Sequence, residues 1–179
     1  LVIMEIYAQW KMNCQQIKET IMDKQINKYI GIDPGKSGGI AVISNDYIEV
    51  KKCPDSINDM AFLFALIMQE TPPLHVLVMI EKVWARPHDG RSSVFTFAGN
   101  YGQWQGIVAS HDITPHYVTP QVWMKAMGCP AKLKKQVRKN YLKELAKEKF
   151  PDLKRKLTLA TSDAMLIADY SKNIFDKTK

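Results

Sequence analysis

The chain has 179 residues, of which 46% are hydrophobic and 24% are charged, so it is long enough for one globular domain with a substantial core. This composition excludes an intrinsically disordered chain, and no apolar run approaches the ~18–20 residues of a membrane helix. The three cysteines are widely spaced and form neither a disulfide framework nor a zinc motif, which indicates a reducing compartment and predicts a cytoplasmic protein.

The net charge of +7 is concentrated in one part of the chain. The stretch from Lys125 to Lys156 has twelve Lys or Arg residues and three acidic ones, whereas the rest has thirteen basic and fifteen acidic residues. A local excess of this kind is typical of a protein that binds a polyanion, and nucleic acid is the first candidate. A solvated helix face is the alternative, which composition alone leaves open.

The first predicted elements form an antiparallel meander. Strands are predicted over 28–33, 39–44 and 47–52, because short β-branched apolar runs are separated by turn sequences rich in Gly, Pro, Asn and Asp. Met22 stands shortly before the first strand. We expect the folded domain to span residues 22–179 and residues 1–21 to be an appended helix or an over-extended reading frame.

Helices and strands alternate after the meander. The predicted elements are a helix over 56–70, a strand over 75–81, a helix over 92–110, a strand over 116–120, a short helix over 120–127, a basic amphipathic helix over 132–149 and a last helix over about 161–174. A strand–helix–strand crossover implies parallel pairing, whereas the meander implies antiparallel pairing. The order therefore predicts an α/β fold, with a mixed five-stranded sheet and helices on both faces.

Three carboxylates occupy positions where a charge is costly. Asp33 ends the first strand, Glu81 ends the most apolar strand, and Asp163 lies on the core-facing stripe of the last helix. An unpaired buried carboxylate costs several kcal/mol or becomes protonated. A turn residue, a strand-end charge and a helix N-terminal acid are the individual alternatives. A pair of divalent cations would stabilise all three at once, and Mg²⁺ prefers such oxygen ligands.

The three carboxylates together with the basic segment suggest phosphodiester chemistry. Two divalent ions can activate the attacking water and stabilise the leaving oxygen of a phosphodiester. No arrangement of serine, cysteine or histidine nucleophiles in the sequence competes with this interpretation.

Four segments in order resemble the RuvC family of Holliday junction resolvases, above all its compact bacteriophage members. They are "IGIDPGKSGGIAVI", "MIEKVWARP" with "SSVFTFAGNYG", "VTPQVWMKAMG" and "SDAMLIADY", and they span roughly residues 28–170. The resemblance implies an RNase H-like fold and a homodimer that cuts four-way junctions symmetrically with Mg²⁺ or Mn²⁺, in the host cytoplasm if the chain is viral. It also implies that Asp33, Glu81 and Asp163 are the metal-binding catalytic acids.

Two further positions follow from the resemblance. Trp84 matches an aromatic residue that stacks at the opened junction centre in some members, and a core tryptophan is the alternative. The family's fourth acid usually lies three residues before the last aspartate, where this chain has Ala160. This departure puts the second metal ion in question. Asp169 is no substitute, because it points roughly 240° around the helix from Asp163.

The other predicted DNA contacts are cations near these segments. They are Lys36, Lys82, Arg86, Arg91, Lys132, Lys134, Lys135 and Arg138. The last four are expected to begin the basic helix. All eight are expected to bind phosphates, so that DNA binding depends steeply on salt and only weakly on base sequence. Gly99, Gly102 and Gly106 recur at helical spacing, which predicts either a dimer seam or close internal packing.

Parts of the sequence are also compatible with three other functions. The turn "GIDPGKSGG" resembles the phosphate loop of actin-like and sugar-kinase ATPases, but those need two such domains, so we predict no nucleotide cofactor. A junction-binding protein without catalysis is a second alternative, because the fourth acid is missing. A nuclease that debranches many DNA structures is a third, and only a substrate comparison separates it from a resolvase.

Overall fold

The computed structural model describes residues 26–82, 84 and 90–176. The predicted N-terminal extension, the domain boundary at Met22 and the predicted DNA contact Arg86 lie outside the described residues.

Strands and helices follow one another nearly as the sequence predicts. In chain order they are β1 Lys28–Asp33, β2 Gly39–Ser44, β3 Ile48–Lys52, α1 Ile57–Met68, β4 Val76–Glu81, α2 Arg91–Ala109, β5 His116–Val118, α3 Pro120–Ala126, α4 Lys135–Lys149 and α5 Ser162–Asp176. A short 3-10 turn, Pro73–His75, precedes β4. None of the helices in the described ranges combines the length and apolar character needed to cross a bilayer.

The sheet has five strands in the order β3-β2-β1-β4-β5. The pairs β1–β2 and β2–β3 are antiparallel, whereas β1–β4 and β4–β5 are parallel. This arrangement confirms the predicted mixed sheet. It also puts β1 at the centre, so that the carboxyl ends of β1 and β4 meet at one edge.

Helices cover both faces of the sheet, because the apolar side chains of β1 alternate in direction. Ile30 and Ile32 belong to the core under α1 and α2, with Phe64 and Trp104. Tyr29 belongs to the opposite core, beneath α3, α4 and α5. Continuous burial of the strand sequences is therefore explained by two apolar layers, one on each side.

Helix α5 lies directly on β1. A Cβ atom at Gly31 would clash with the backbone of Ala164 and Ala168 and would stand 2.9 Å from the Cα of Ala168. The missing side chain at Gly31 and the two alanines, four residues apart on α5, allow this close approach. The start of α5, which carries Asp163, is thereby placed beside the end of β1.

The predicted start of the basic helix at residue 132 is wrong. Lys132 adopts a left-handed conformation, with φ of 66°, and Lys134 is the extended N-cap residue, so α4 begins at Lys135. Lys132 and Lys134 consequently belong to the connection between α3 and α4. The last helix ends at Asp176, two residues later than predicted, because no Gly or Pro follows the apolar stripe to stop it.

Candidate active site

The three predicted carboxylates meet at one edge of the sheet. Asp33 ends β1, Glu81 ends β4 and Asp163 is the second residue of α5. In the parallel β1–β4 pair Ile32 lies opposite Ile80. The next residues, Asp33 and Glu81, are therefore adjacent at the ends of the two strands. The charges of Glu81 and Asp163 both raise the pKa of Asp33, as expected for carboxylates held close together.

Burial and mutual repulsion make the ionised form of this cluster costly. Burial is the largest effect on Asp33 and raises its pKa well above the ordinary value, with further increases from the charges of Glu81 and Asp163. Burial first, and then Asp163, raises the pKa of Glu81 to about 7. Burial also raises the pKa of Asp163 to about 6. A cation bound among these oxygens would relieve both effects.

The donor set fits a hard divalent cation. Asp163 Oδ1 is buried and has no hydrogen-bond partner in the part of the chain that the structure describes. All three acids offer carboxylate oxygens, the ligands preferred by Mg²⁺ and Mn²⁺. No three His, Cys, Asp or Glu residues of the described ranges form a ready-made cage for one ion. An ion here would therefore complete its ligand set with water or substrate, as Mg²⁺ commonly does.

Trp123 fixes one oxygen of Glu81. The indole Nε1 of this fully buried side chain on α3 donates a hydrogen bond of 2.7 Å to Glu81 Oε1. The bond favours the carboxylate and so opposes the rise in the pKa of Glu81 that burial causes. Sequence reasoning missed this contact, since the two residues are 42 positions apart and no local spacing connects them.

Asn100 holds the turn that follows Asp33. The backbone N–H of Gly35 donates a 2.6 Å hydrogen bond to Asn100 Oδ1, and the amide nitrogen of Asn100 donates to Cys53 Sγ at 3.4 Å. Gly35 has a φ of 112°, and a Cβ there would stand 2.9 Å from the ring of Phe97. Helix α2 therefore holds this turn in place through Asn100. The sequence did offer a signal for this role. Asparagine is unfavourable inside a helix, so an asparagine at position 100 of a predicted helix suggests that its side chain makes a specific hydrogen bond.

Asn100→Ala is expected to loosen the turn and weaken the site. The substitution leaves the Gly35 N–H without its partner, and a buried unsatisfied donor costs about 1–3 kcal/mol of unfolding free energy. We also expect weaker Mn²⁺ binding, because Asp33 precedes this turn by two residues. Urea unfolding and calorimetric Mn²⁺ titration measure the two effects.

Asn140→Ala is the matched control for Asn100→Ala. Asn140 is an exposed helical asparagine whose Oδ1 accepts a surface hydrogen bond from Gln136. Its loss is expected to change the unfolding free energy by less than about 0.5 kcal/mol. Equal effects of the two substitutions would contradict a role for Asn100 in holding the turn.

The raised pKa values predict that the metal-free protein loses stability as the pH rises. The folded-state pKa of Glu81, about 7, lies above its ordinary value of 4.5, so its stabilising contribution is complete below pH 4.5 and is lost as the pH passes through 7. Asp163 acts in the same direction between 3.8 and about 6. We expect the melting temperature in EDTA to fall by several degrees between pH 5 and 8.

Glu81→Gln isolates the contribution of Glu81 to this pH dependence. The variant is expected to show a flatter melting profile than the wild type in EDTA, because the neutral amide does not titrate. Mg²⁺ should flatten the wild-type profile too. Parallel wild-type and variant profiles would show that Glu81 titrates in the folded protein as it does in the unfolded one.

The predicted DNA contacts near the carboxylates are exposed. Lys36 lies in the turn after β1, Lys82 directly follows Glu81, and Arg91 is the first residue of α2. Trp84 is 51% exposed, so the alternative of a core tryptophan is wrong. Its surface is available for stacking against a base.

The basic segment divides into two groups. Lys132, Lys134 and Lys135 are exposed, whereas Arg138 and Lys139 are partly buried. These two cations oppose the effect of burial on Asp163 and so limit the rise in its pKa. Lys139, which acts on all three carboxylates, was missed by sequence reasoning because its spacing does not distinguish it from its basic neighbours.

Ala160 and Asp169 add no carboxylate to the cluster. Ala160 lies just before α5, and its carbonyl oxygen would be 3.1 Å from a Cβ placed at Gly39. Asp169 is held by α4 instead, since its Oδ2 lies 2.9 Å from the Nζ of Lys149.

The three glycines of α2 face open space. A Cβ atom placed at Gly99, Gly102 or Gly106 would find no atom of the described chain within 4 Å. Close internal packing is therefore excluded within the described residues, and the dimer seam stays a prediction.

The strand order, the mixed pairing and the two helical layers define an RNase H-like fold. Among solved structures, Thermus thermophilus RuvC in complex with a Holliday junction substrate matches with a TM-score of 0.56 and 14% identity, covering 85% of this chain and 96% of that one. Thermus thermophilus RuvC alone matches with a TM-score of 0.52 and 15% identity, covering 84% and 96%. The fold is RuvC-like. The sequence matches no family model and no curated protein.

Proposed function

We propose that this protein is a structure-selective DNA endonuclease that resolves four-way junctions as a homodimer. The observation that carries the proposal is the cluster of three desolvated carboxylates at the edge of a RuvC-like sheet. Nuclease chemistry needs such acids to hold divalent ions against a phosphodiester. We place the activity in the cytoplasm, which is the host cytoplasm if the chain belongs to a bacteriophage.

Asp33, Glu81 and Asp163 would hold Mg²⁺, and Mn²⁺ would substitute for it. Such ions supply Lewis acidity, which strengthens water as a nucleophile and neutralises charge on the leaving 3′ oxygen. With the ions bound, Asp33 and Asp163 would position the attacking water, and Asp33 and Glu81 would stabilise the leaving side. The water oxygen would bond to phosphorus as the P–O3′ bond breaks; the attacking water loses a proton to solvent and the 3′ oxygen gains one, which yields a 5′-phosphate and a 3′-hydroxyl.

Exposed cations support the choice of branched DNA as substrate. Those near the carboxylates and at the start of α4 provide positive charge around the candidate site, and Trp84 offers an exposed aromatic face for an unpaired base. The Thermus thermophilus RuvC that shares the fold was solved with a Holliday junction. Binding is expected to weaken steeply with salt, since phosphate contacts dominate.

Cleavage of synthetic substrates tests the proposal. A labelled four-way junction, a flap and a linear duplex are incubated with the protein in Mg²⁺ and in EDTA. Paired nicks on the junction, absent in EDTA, are the expected result. Junction binding without cutting in Mg²⁺ or Mn²⁺ would show that the protein binds junctions but is not a nuclease. Equal cutting of every branched substrate would replace it with a debranching nuclease.

A further inference from the structure

Side-chain alternation along β1 and β4 directs both strand-end acids to the face of the sheet that α5 covers. Gly31 of β1 packs directly against α5, and Asp33 follows it by two residues, so the carboxylate lies on that same face. Met79 of β4 belongs to the core beneath α3, α4 and α5, and Glu81 follows it by two residues. Both acids therefore share this face with the side chain of Trp123, which is fully buried in the same core.

The connection from β5 to α3 fixes where Trp123 lies. Val118 is paired with Glu81 in the parallel β4–β5 pair, and the backbone N–H of Lys82 donates a 2.7 Å hydrogen bond to the Val118 carbonyl oxygen. Pro120 then begins α3, a position that suits its fixed φ. One helical turn brings the indole of Trp123 back to Glu81, where Nε1 donates the 2.7 Å bond to Oε1. Strand pairing and core packing thus hold this contact.

The bond to Oε1 restricts how Glu81 can bind a cation. A carboxylate that chelates an ion must turn both of its oxygens toward that ion. For Glu81, this rotation would draw Oε1 away from a fully buried indole, and a buried donor is costly to leave without its partner. The favourable arrangement keeps Oε1 on Trp123 and presents Oε2 to the ion.

Divalent cations differ in how much they gain from a chelating carboxylate. Ca²⁺ takes about six to eight oxygen ligands and often binds a carboxylate through both oxygens. Mg²⁺ is smaller, requires octahedral geometry and keeps several waters as ligands. A glutamate limited to one oxygen therefore meets the needs of Mg²⁺ and withholds a ligand from Ca²⁺.

We propose that Trp123 determines the metal specificity of the site, selecting Mg²⁺ over Ca²⁺ by holding Glu81 to coordination through a single oxygen. Trp123 is a positioning residue, because its indole contacts the ligand rather than the ion. Removing a group that hydrogen-bonds to a metal ligand typically changes metal affinity by about 10–100-fold. The inference rests on the proposed metal-dependent nuclease site and names the residue that selects its ion.

Calorimetric titration of Trp123→Phe with Mg²⁺ and with Ca²⁺ tests the proposal. Phenylalanine keeps an aromatic ring in the core and removes the donor, so Glu81 is free to chelate. We expect the ratio of the two dissociation constants to shift in favour of Ca²⁺ by at least about fivefold. The ratio is the informative quantity, because a general loosening of the fold would weaken the binding of both ions together.

Trp104→Phe is the matched control for Trp123→Phe. Trp104 is equally buried, but it belongs to the core on the opposite face of the sheet. Its ratio of dissociation constants should match that of the wild type within about twofold. If the ratio for Trp123→Phe differs from the wild type no more than the ratio for Trp104→Phe does, the proposal is wrong.

Nuclear magnetic resonance of the wild type gives a second readout, which does not require Trp123→Phe to fold. Saturation with Mg²⁺ should shift the indole N–H signal of Trp123, because an ion on Oε2 of Glu81 withdraws charge from Oε1, and should leave the signal of Trp104 in place. The Trp123 N–H should also remain slow to exchange with solvent, since Mg²⁺ leaves its bond to Oε1 intact. A Trp123 signal that does not move, or an N–H that begins to exchange freely, would overturn the proposal.

Junction cleavage separates this proposal from the proposed function. If Mg²⁺ is bound selectively and no substrate is cut, the nuclease function fails and the role of Trp123 stands. If junctions are cut in Mg²⁺ and Trp123→Phe keeps the wild-type ratio, the role of Trp123 fails alone. A wild-type protein that binds neither ion would contradict both.

Discussion

Asp33→Asn is expected to lower the rate of junction cleavage by at least about a thousandfold while junction binding persists. The charges of both other carboxylates act on Asp33, so the amide would remove the proposed metal ligand at the centre of the cluster. The same change removes electrostatic repulsion, and the metal-free variant should melt at a higher temperature than the wild type at pH 8. Cleavage assays, gel-shift assays and thermal melting measure the three quantities.

Asp46→Asn is the matched control for Asp33→Asn. Asp46 is exposed in the β2–β3 turn, at the end of the sheet remote from the cluster. This variant should cut, bind and melt like the wild type. If Asp33→Asn retains more than about a tenth of wild-type cleavage, the carboxylate cluster is not the active site. A loss of both binding and folding would instead point to a structural role for Asp33.

Gly31→Ala is expected to destabilise the fold by at least about 3 kcal/mol. The added methyl group would overlap the backbone of Ala164 and Ala168, and backbone atoms at the centre of two packed elements cannot move aside cheaply. Because this contact sets the distance between β1 and α5, any surviving folded protein should also bind Mn²⁺ more weakly. Urea unfolding, or the soluble yield if folding fails, measures the effect.

Gly99→Ala makes the same substitution where the structure leaves room. Gly99 is an exposed position of α2 with no described atom near an added Cβ. In the monomer, alanine should raise the unfolding free energy by about 0.5–1 kcal/mol, because glycine is the poorer helix former. If both substitutions have similar effects, α5 does not pack against β1 as closely as the structure shows.

Periodicity in the sequence was sufficient for the sheet, because each strand is a short apolar run bounded by strong turn residues. Chain order then fixed which pairs are parallel, through the geometry of the crossover connection. The start of α4 escaped prediction for a local reason. Lys132 fits the amphipathic pattern of a helix, but its backbone is left-handed, with φ of 66°. The pattern of polar and apolar side chains does not determine the backbone angles of a single residue.

The sequence by itself was sufficient to single out the three acids as candidates, since a carboxylate at the end of a buried strand or on an apolar helix stripe is energetically costly. Tertiary structure alone decided what surrounds them. Trp123 donates a hydrogen bond to Glu81, and Asn100 accepts one from the turn after Asp33, each from a helix distant in sequence. These contacts depend on how the helices pack against the sheet. Packing between elements that are distant in the chain produces no pattern of residue spacing that the sequence would reveal.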